Sequence, residues 1–143
     1  GDGEGKDYLK SLFKDCKNVI FTGWLNKQEL NNLYSISDLI IAPYKNNLNY
    51  TGHIPNKIYD AFICLKPLVT PLKGDLQKLI ESLNIGICYD EKNPESLHLK
   101  LKKLLKNPES IQELTKNIQP NLDNIIPKNE AYPVILEMYK KLN

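Results

Sequence analysis

Up to Asp90, apolar positions at helical spacing alternate with short runs of β-branched and aromatic residues. After a glycine-rich turn at residues 1–5, Leu9, Leu12, Phe13 and Cys16 predict a helix, and residues 19–22 predict a short strand. Asn26 followed by Glu29 has the spacing of a capping box, and Leu30, Leu33 and Tyr34 form the stripe of the helix it opens. Residues 39–43 predict a second strand, apolar on both faces as a central parallel strand is. A helix over 56–65, with Ile58, Ala61, Phe62 and Leu65 toward the core, leads into a strand over 67–70. Asp75 is placed to cap the next helix, whose stripe is Leu76, Leu79, Ile80 and Leu83, and residues 85–89 predict a fourth strand.

This alternation implies βαβ units, hence an α/β fold with a parallel sheet covered by helices on both faces. Beyond Asp90 the pattern is helical only. Asn93-Pro94 opens a helix carrying Leu97, Leu101, Leu104 and Leu105, and Asn107-Pro108 opens another carrying Ile111, Leu114 and Ile118. A loop rich in Pro and Asn follows, then a last helix from about Pro133 with Ile135, Met138, Tyr139 and Leu142. The opening glycine turn is of the kind that follows a strand, yet no strand precedes it, and four strands make a thin sheet. The expectation is that residue 1 lies inside a larger protein.

Composition changes this picture little. A chain of 143 residues with 41% hydrophobic and 25% charged residues has the makeup of an ordinary globular domain. The net charge is +2 and lysines are interleaved with acids, which argues against a nucleic-acid binder. All nineteen basic residues are lysine, so no mechanism can draw an arginine from this segment. Cys16, Cys64 and Cys88 are odd in number, lie in apolar surroundings and lack Cys-x-x-Cys spacing; they read as reduced core residues. No apolar run has the length of a membrane span, and residues 1–5 do not resemble a signal peptide.

In open parallel sheets ligands bind beyond the carboxyl ends of the strands, which directs attention to the segments after Thr22, Pro43, Thr70 and Tyr89. Gly23-Trp24-Leu25 brings a glycine and the only tryptophan, which can pack under the sheet edge or stack on a base. Residues 71–75 bring Lys73 and a glycine turn. The segment 44–54, with Tyr44, Asn46, Asn47, Asn49, Tyr50, Thr51, Gly52 and His53, is long for a βα loop and dense in donors and acceptors. Pro55 and Asn56 suit a helix start, where backbone N–H groups and the dipole favour an anion such as a phosphate. Asn56, Lys57 and Asp60 share the polar edge of that helix, and Lys57 with Asp60 is either an exposed ion pair or part of the site. His53 is either solvated or part of the same site; His98 reads as surface. Asp2-Gly3-Glu4 and Asp90-Glu91, the nearest approach to metal-binding carboxylate pairs, read as solvated turns.

These residues also carry a resemblance. Gly-Asp-Gly-Glu before an amphipathic helix, Asn18-Val-Ile-Phe-Thr-Gly23, Glu29-Leu-x-x-Leu-Tyr34, Ser37-Asp38-Leu-Ile-Ile-x-Pro43, Pro55-Asn-Lys-Ile-Tyr-Asp60 and Lys66-Pro67-Leu-Val-Thr70 occur in the order and spacing of the C-terminal half of group 1 (family 4) glycosyltransferases. The ordered series covers roughly residues 1–106. The resemblance implies a truncated C-terminal half of a GT-B fold: residues 1–118 as a Rossmann-like nucleotide-sugar-binding domain and 119–143 as a C-terminal loop and helix. It implies that Asp60 accepts hydrogen bonds from the ribose hydroxyls, that Gly52, His53, Ile54, Asn56 and Lys57 meet the diphosphate and sugar, and that Gly23, Trp24 and Leu25 border the base. No metal or other cofactor is implied, because a helix N-terminus and cations stabilise the leaving diphosphate.

Three positions depart from the family pattern. Gly52 stands where the first acidic residue of a paired motif is usual, Leu65 stands where a glycine is usual before Lys66-Pro67, and the family's diphosphate-binding Arg and Lys fall upstream of Gly1. The resulting expectation is the donor-binding part of a retaining, UDP-sugar-dependent transferase of polysaccharide biosynthesis, inactive alone and serving a glycan or lipid-linked acceptor. Its place is cytoplasmic, at the inner face of a membrane with at most peripheral association, and it has no nucleic-acid partner. The alternative is a non-catalytic α/β interaction module derived from a degenerate glycosyltransferase.

Overall fold

A computed structural model of the chain describes residues 2–47 and 54–126. The chain forms two compact units, Gly1–Ser35 and Ile36–Asn143. The first holds α1 (Lys6–Leu12) and nearly all of α2 (Lys27–Ile36). The expected capping box opens α2: Glu29 N–H donates to Asn26 Oδ1 at 3.0 Å, and Asn26 N–H donates to Glu29 Oε2 at 2.8 Å.

Two expectations for this unit are corrected. Residues 19–22 form no strand. Their β-branched and aromatic side chains favour an extended chain only where a neighbouring strand takes up the backbone donors, whereas Val19 N–H turns back to the Cys16 carbonyl at 3.2 Å. Helix α1 stops at Leu12, which leaves Cys16 in the turns beyond it, exposed rather than in a core.

The second unit is a parallel sheet flanked by helices. Strands β1 (Ile40–Ile41), β2 (Leu68–Thr70) and β3 (Gly86–Cys88) lie in the order β1-β2-β3, with Ile40 opposite Leu68 and Leu68 opposite Gly86. The central strand is therefore β2, where the sequence suggested the 39–43 run. All of β2 is buried, while Ile41, with one ladder neighbour among the described residues, is 45% exposed. Helix α3 (Asn56–Ile63) connects β1 to β2, and α4 (Asp75–Leu83) connects β2 to β3. Phe62, Ile58, Leu68, Leu72, Leu76, Ile80, Ile85 and Ile118 are the large side chains of the core.

Both connecting helices end in the same way. Leu65 N–H donates to Phe62 C=O and Lys66 N–H to Ala61 C=O, each at 2.9 Å, with Leu65 at φ 55°. This is a Schellman termination, and its left-handed residue is one that glycine fills most easily. Asn84, at φ 50°, ends α4 with Ile85 N–H donating back to Ile80 C=O at 3.3 Å. Leu65 therefore lies beyond α3 and is half-buried, while Tyr59 and Ile63 join Ile58, Ala61 and Phe62 on the buried face. Asp75 is the first residue of α4, whose cap position is Gly74.

The remaining helices follow from Asn-Pro pairs. Asn93 Oδ1 accepts Ser96 N–H at 3.2 Å to open α5 (Pro94–Lys106), and Asn107 precedes α6 (Pro108–Ile118). A 3-10 turn (Gln119–Asn121) leads to the short α7 (Leu122–Ile125), which packs against α3. The helix expected from about Pro133 lies outside the described residues.

The close approach of β2 and β3 depends on Gly86, where an added Cβ would collide with the Leu68 carbonyl. Gly86→Ala is expected to cost at least about 2 kcal/mol in urea unfolding, because the obstructing atom is ladder backbone and cannot swing aside. At Leu65 the usual ranking of alanine and glycine should invert. Both substitutions remove the same side chain, but only alanine keeps the Cβ in a left-handed position, so Leu65→Gly should be more stable than Leu65→Ala by about 1 kcal/mol.

Candidate functional site

Because β1, β2 and β3 run parallel, each connecting helix runs back along the sheet, and α3 starts at its carboxyl edge. Three loops meet there, after β1, β2 and β3. Thr70, the one buried polar residue among those described, ties the first two: its hydroxyl donates to Ala42 C=O at 2.9 Å and accepts Leu72 N–H at 3.3 Å. Further out, Asn46 does the same over a longer reach. Its Oδ1 accepts Lys73 N–H at 2.8 Å, and its Nδ2 donates to Pro71 C=O at 2.8 Å and to Glu91 Oε2 at 2.9 Å. The Asn46 backbone N–H also donates to Glu91 Oε2, at 3.0 Å.

Glu91 is thus an exposed residue with fixed partners, where the sequence suggested a solvated turn. The hydrogen bonds from Asn46 hold its carboxyl below the ordinary 4.5, helped by Lys45 and Lys92 and opposed by partial desolvation. Asp90 is also engaged, its Oδ1 accepting Lys92 N–H at 3.0 Å. On β3, burial pushes the Cys88 thiol up to about 11, with Glu81 adding to the rise and Lys100 opposing it. Cys64 and Cys88 are half-buried.

Along α3, Ile54 and Pro55 are half-buried, Asn56 and Lys57 are exposed and Asp60 is half-buried. Pro55, in an extended conformation, precedes the helix and has no side chain able to cap it. The structure thus places Asn56, Lys57 and Asp60 on the first turns of one helix, Asp60 one turn after Asn56 and Lys57. Gly52 and His53 lie outside the described residues. His98 is exposed on α5.

Gly23, Trp24 and Leu25 belong to the first unit. Asp2 organises them: one carboxylate oxygen is paired with the Lys6 ammonium, and the other accepts Trp24 N–H at 3.2 Å. The Lys6 hydrogen bond is the main reason the Asp2 carboxyl is held below its usual value. Gly23 turns at φ 70°, Leu25 is half-buried and the Trp24 ring is 74% exposed. The turn at Asp2-Gly3-Glu4 is exposed, as read from sequence, and Asp2 in addition holds the Trp24 amide.

One cavity of about 330 Å³ opens at the amino edge of the sheet, lined by Ser37, Asp38, Lys66, Ile111, Gln112, Thr115 and Lys116. It lies at the opposite end of the sheet from Asn46, Glu91 and the start of α3. Among the described residues no helix is long and apolar enough to cross a membrane.

The local signal for Asn46 was only that it sits in a polar loop. Its partners are 25, 27 and 45 residues away. Asn46→Ala is expected to raise the Glu91 carboxyl pKa toward 4.5, read from carboxyl NMR shifts on acid titration. Glu91 has the lower value in the folded state, so its contribution to stability is present above its unfolded value and is lost as pH falls through the folded one. In Asn46→Ala that part of the acid sensitivity should shrink.

The chain is 25% identical over 150 aligned positions to an uncharacterized glycosyltransferase of Methanocaldococcus jannaschii, an alignment covering 96% of this chain and 37% of that protein. The chain thus spans about a third of the length of that relative. No solved structure matches it. Residues 1–120 match the family of glycosyl transferases group 1, and the chain belongs to that family.

Proposed function

We infer that this segment is the donor-binding part of a retaining glycosyltransferase of GT-B architecture. The observation that carries the reading is the group 1 family match, which spans a parallel sheet whose connecting helix α3 begins at the carboxyl edge with Asn56, Lys57 and Asp60. Asp60 accepts hydrogen bonds from the ribose hydroxyls of a nucleotide sugar, a role suited to a carboxylate. The start of α3, with Gly52, His53, Ile54, Asn56 and Lys57, meets the diphosphate and sugar through backbone donors and a lysine charge. Trp24, exposed beside Gly23 and Leu25, is the platform for the base.

The donor is UDP-linked, and the sugar passes to a glycan or lipid-linked acceptor held by a domain outside residues 1–143. Leaving-group charge is met by lysine and helix dipole, with no resident metal or other cofactor. In the whole protein the reaction belongs to polysaccharide biosynthesis at the cytoplasmic face of a membrane. Residues 1–118 form the nucleotide-sugar domain, 119–143 its C-terminal extension, and this segment alone binds without turning over. The second reading, an interaction module derived from a degenerate transferase, draws on Gly52 in place of an acidic residue.

Amide NMR titration with UDP, GDP and ADP tests the reading. UDP should shift resonances around residues 54–60 and 23–25; shifts confined elsewhere would remove the site assignment. Asp60→Ala should weaken UDP binding by about 10- to 100-fold, the loss of a charged hydrogen-bond acceptor, and should bind 2′,3′-dideoxyuridine diphosphate no more weakly than UDP. Equal UDP affinity in wild type and Asp60→Ala would contradict the ribose role.

A further inference from the structure

The carboxyl edge contains one side chain whose bonds converge from three loops. Asn46 uses its carbonyl oxygen on the β2–α4 loop at Lys73, and its two amide protons on Pro71 and on Glu91 of the β3–α5 loop. Its backbone N–H reaches the same carboxylate. The bond to Pro71 is partly buried, and those to Lys73 and Glu91 are exposed. Pro71 is buried, and Lys73 N–H sits next to Gly74, whose φ of 79° turns the chain into α4. Thr70 ties the same two loops one layer below.

Asn46 lies outside the buried set, and the groups it orders are loop backbone and an exposed glutamate. The charged neighbours of that glutamate are Lys45 and Lys92, with the Tyr89 phenol also sensing it. What the bonds accomplish is geometric. They fix the chain where it leaves β1 relative to the β2–α4 and β3–α5 loops.

We propose that Asn46, anchored by Glu91, is a positioning residue of the donor site: it holds the three carboxyl-edge loops in one arrangement at the edge where α3 begins. It touches no ligand. The role rests on the donor-binding reading, because a preset edge matters only if a ligand is bound there. Since such a residue acts by sparing the ligand the ordering of loops, its removal should weaken binding without unfolding the sheet.

The test uses the same 143-residue chain as wild type, Asn46→Ala, Glu91→Gln and Glu91→Ala, with two readouts: amide hydrogen exchange without ligand, and UDP affinity by NMR titration. In Asn46→Ala the Lys73 amide should exchange at least about tenfold faster, and UDP should bind about tenfold more weakly, while the urea unfolding midpoint stays at its wild-type value. Glu91→Gln keeps an oxygen for both Asn46 donors and should restore affinity relative to Glu91→Ala. UDP affinity within about twofold of wild type in Asn46→Ala would overturn the positioning role alone. A loss of affinity that merely tracks lost stability across the variants, or equal losses in Glu91→Gln and Glu91→Ala, would overturn it as well. Failure of wild type to bind UDP, GDP or ADP would instead remove the donor reading, and the positioning role with it.

Discussion

Strand β2 is buried from end to end, and a strand in that position has no water to turn to for its backbone groups. Its ladder must therefore be complete on both sides. Ile40 N–H donates to Pro67 C=O and Ala42 N–H to Val69 C=O on one side, while Leu68 N–H donates to Ile85 C=O and Tyr89 N–H to Thr70 C=O on the other. Most of the second unit can be read as a response to that need. Helices α3 and α4 bring Ile58, Phe62, Leu76 and Ile80 into the core, and Gly86 admits the Leu68 carbonyl at a distance no side chain would allow. Thr70, polar at the end of a buried strand, uses its hydroxyl on the loops that follow β1 and β2. The same demand that closes the core thus gives the site a rigid floor.

Periodicity in the sequence made the helices and the α/β alternation legible, because a stripe of leucines reports which face seeks burial. The capping box at Asn26 and Glu29 and the cap at Asn93 were legible for a similar reason: each is a bond between residues three apart. Strand formation was less so. Residues 19–22 have the composition of a strand, but a strand requires a partner that composition does not reveal. Cys16 was misplaced through the same assumption, that an apolar stripe continues as far as its spacing allows.

The candidate site was legible in its parts and not in its wiring. Asn56, Lys57 and Asp60 could be placed on one helix from spacing alone, and the structure has them so. The Asn46 network could not be inferred, since hydrogen bonds between residues tens of positions apart leave no local pattern. Asp90-Glu91 and Asp2-Gly3-Glu4 looked like idle turns for that reason; each proves to hold another segment's backbone. The departure at Leu65 has a direct physical meaning. Its φ of 55° is the conformation that glycine would adopt without strain.

The Schellman end of α3 has a consequence for Asp60. Between the last turn of the helix and the first residue of β2 there are only Cys64, Leu65, Lys66 and Pro67, and each is committed: Cys64 N–H donates to Asp60 C=O, Leu65 reverses the chain, Lys66 closes the helix and the Pro67 carbonyl begins the ladder. The stretch behaves as a spacer of set length. One residue more or fewer would rotate α3 by about 100° relative to the sheet, or else slip β2 by one position and turn its buried face outward. Substitutions in the spacer alter stability by degrees. A change in its length would instead decide which way the carboxylate of Asp60 points.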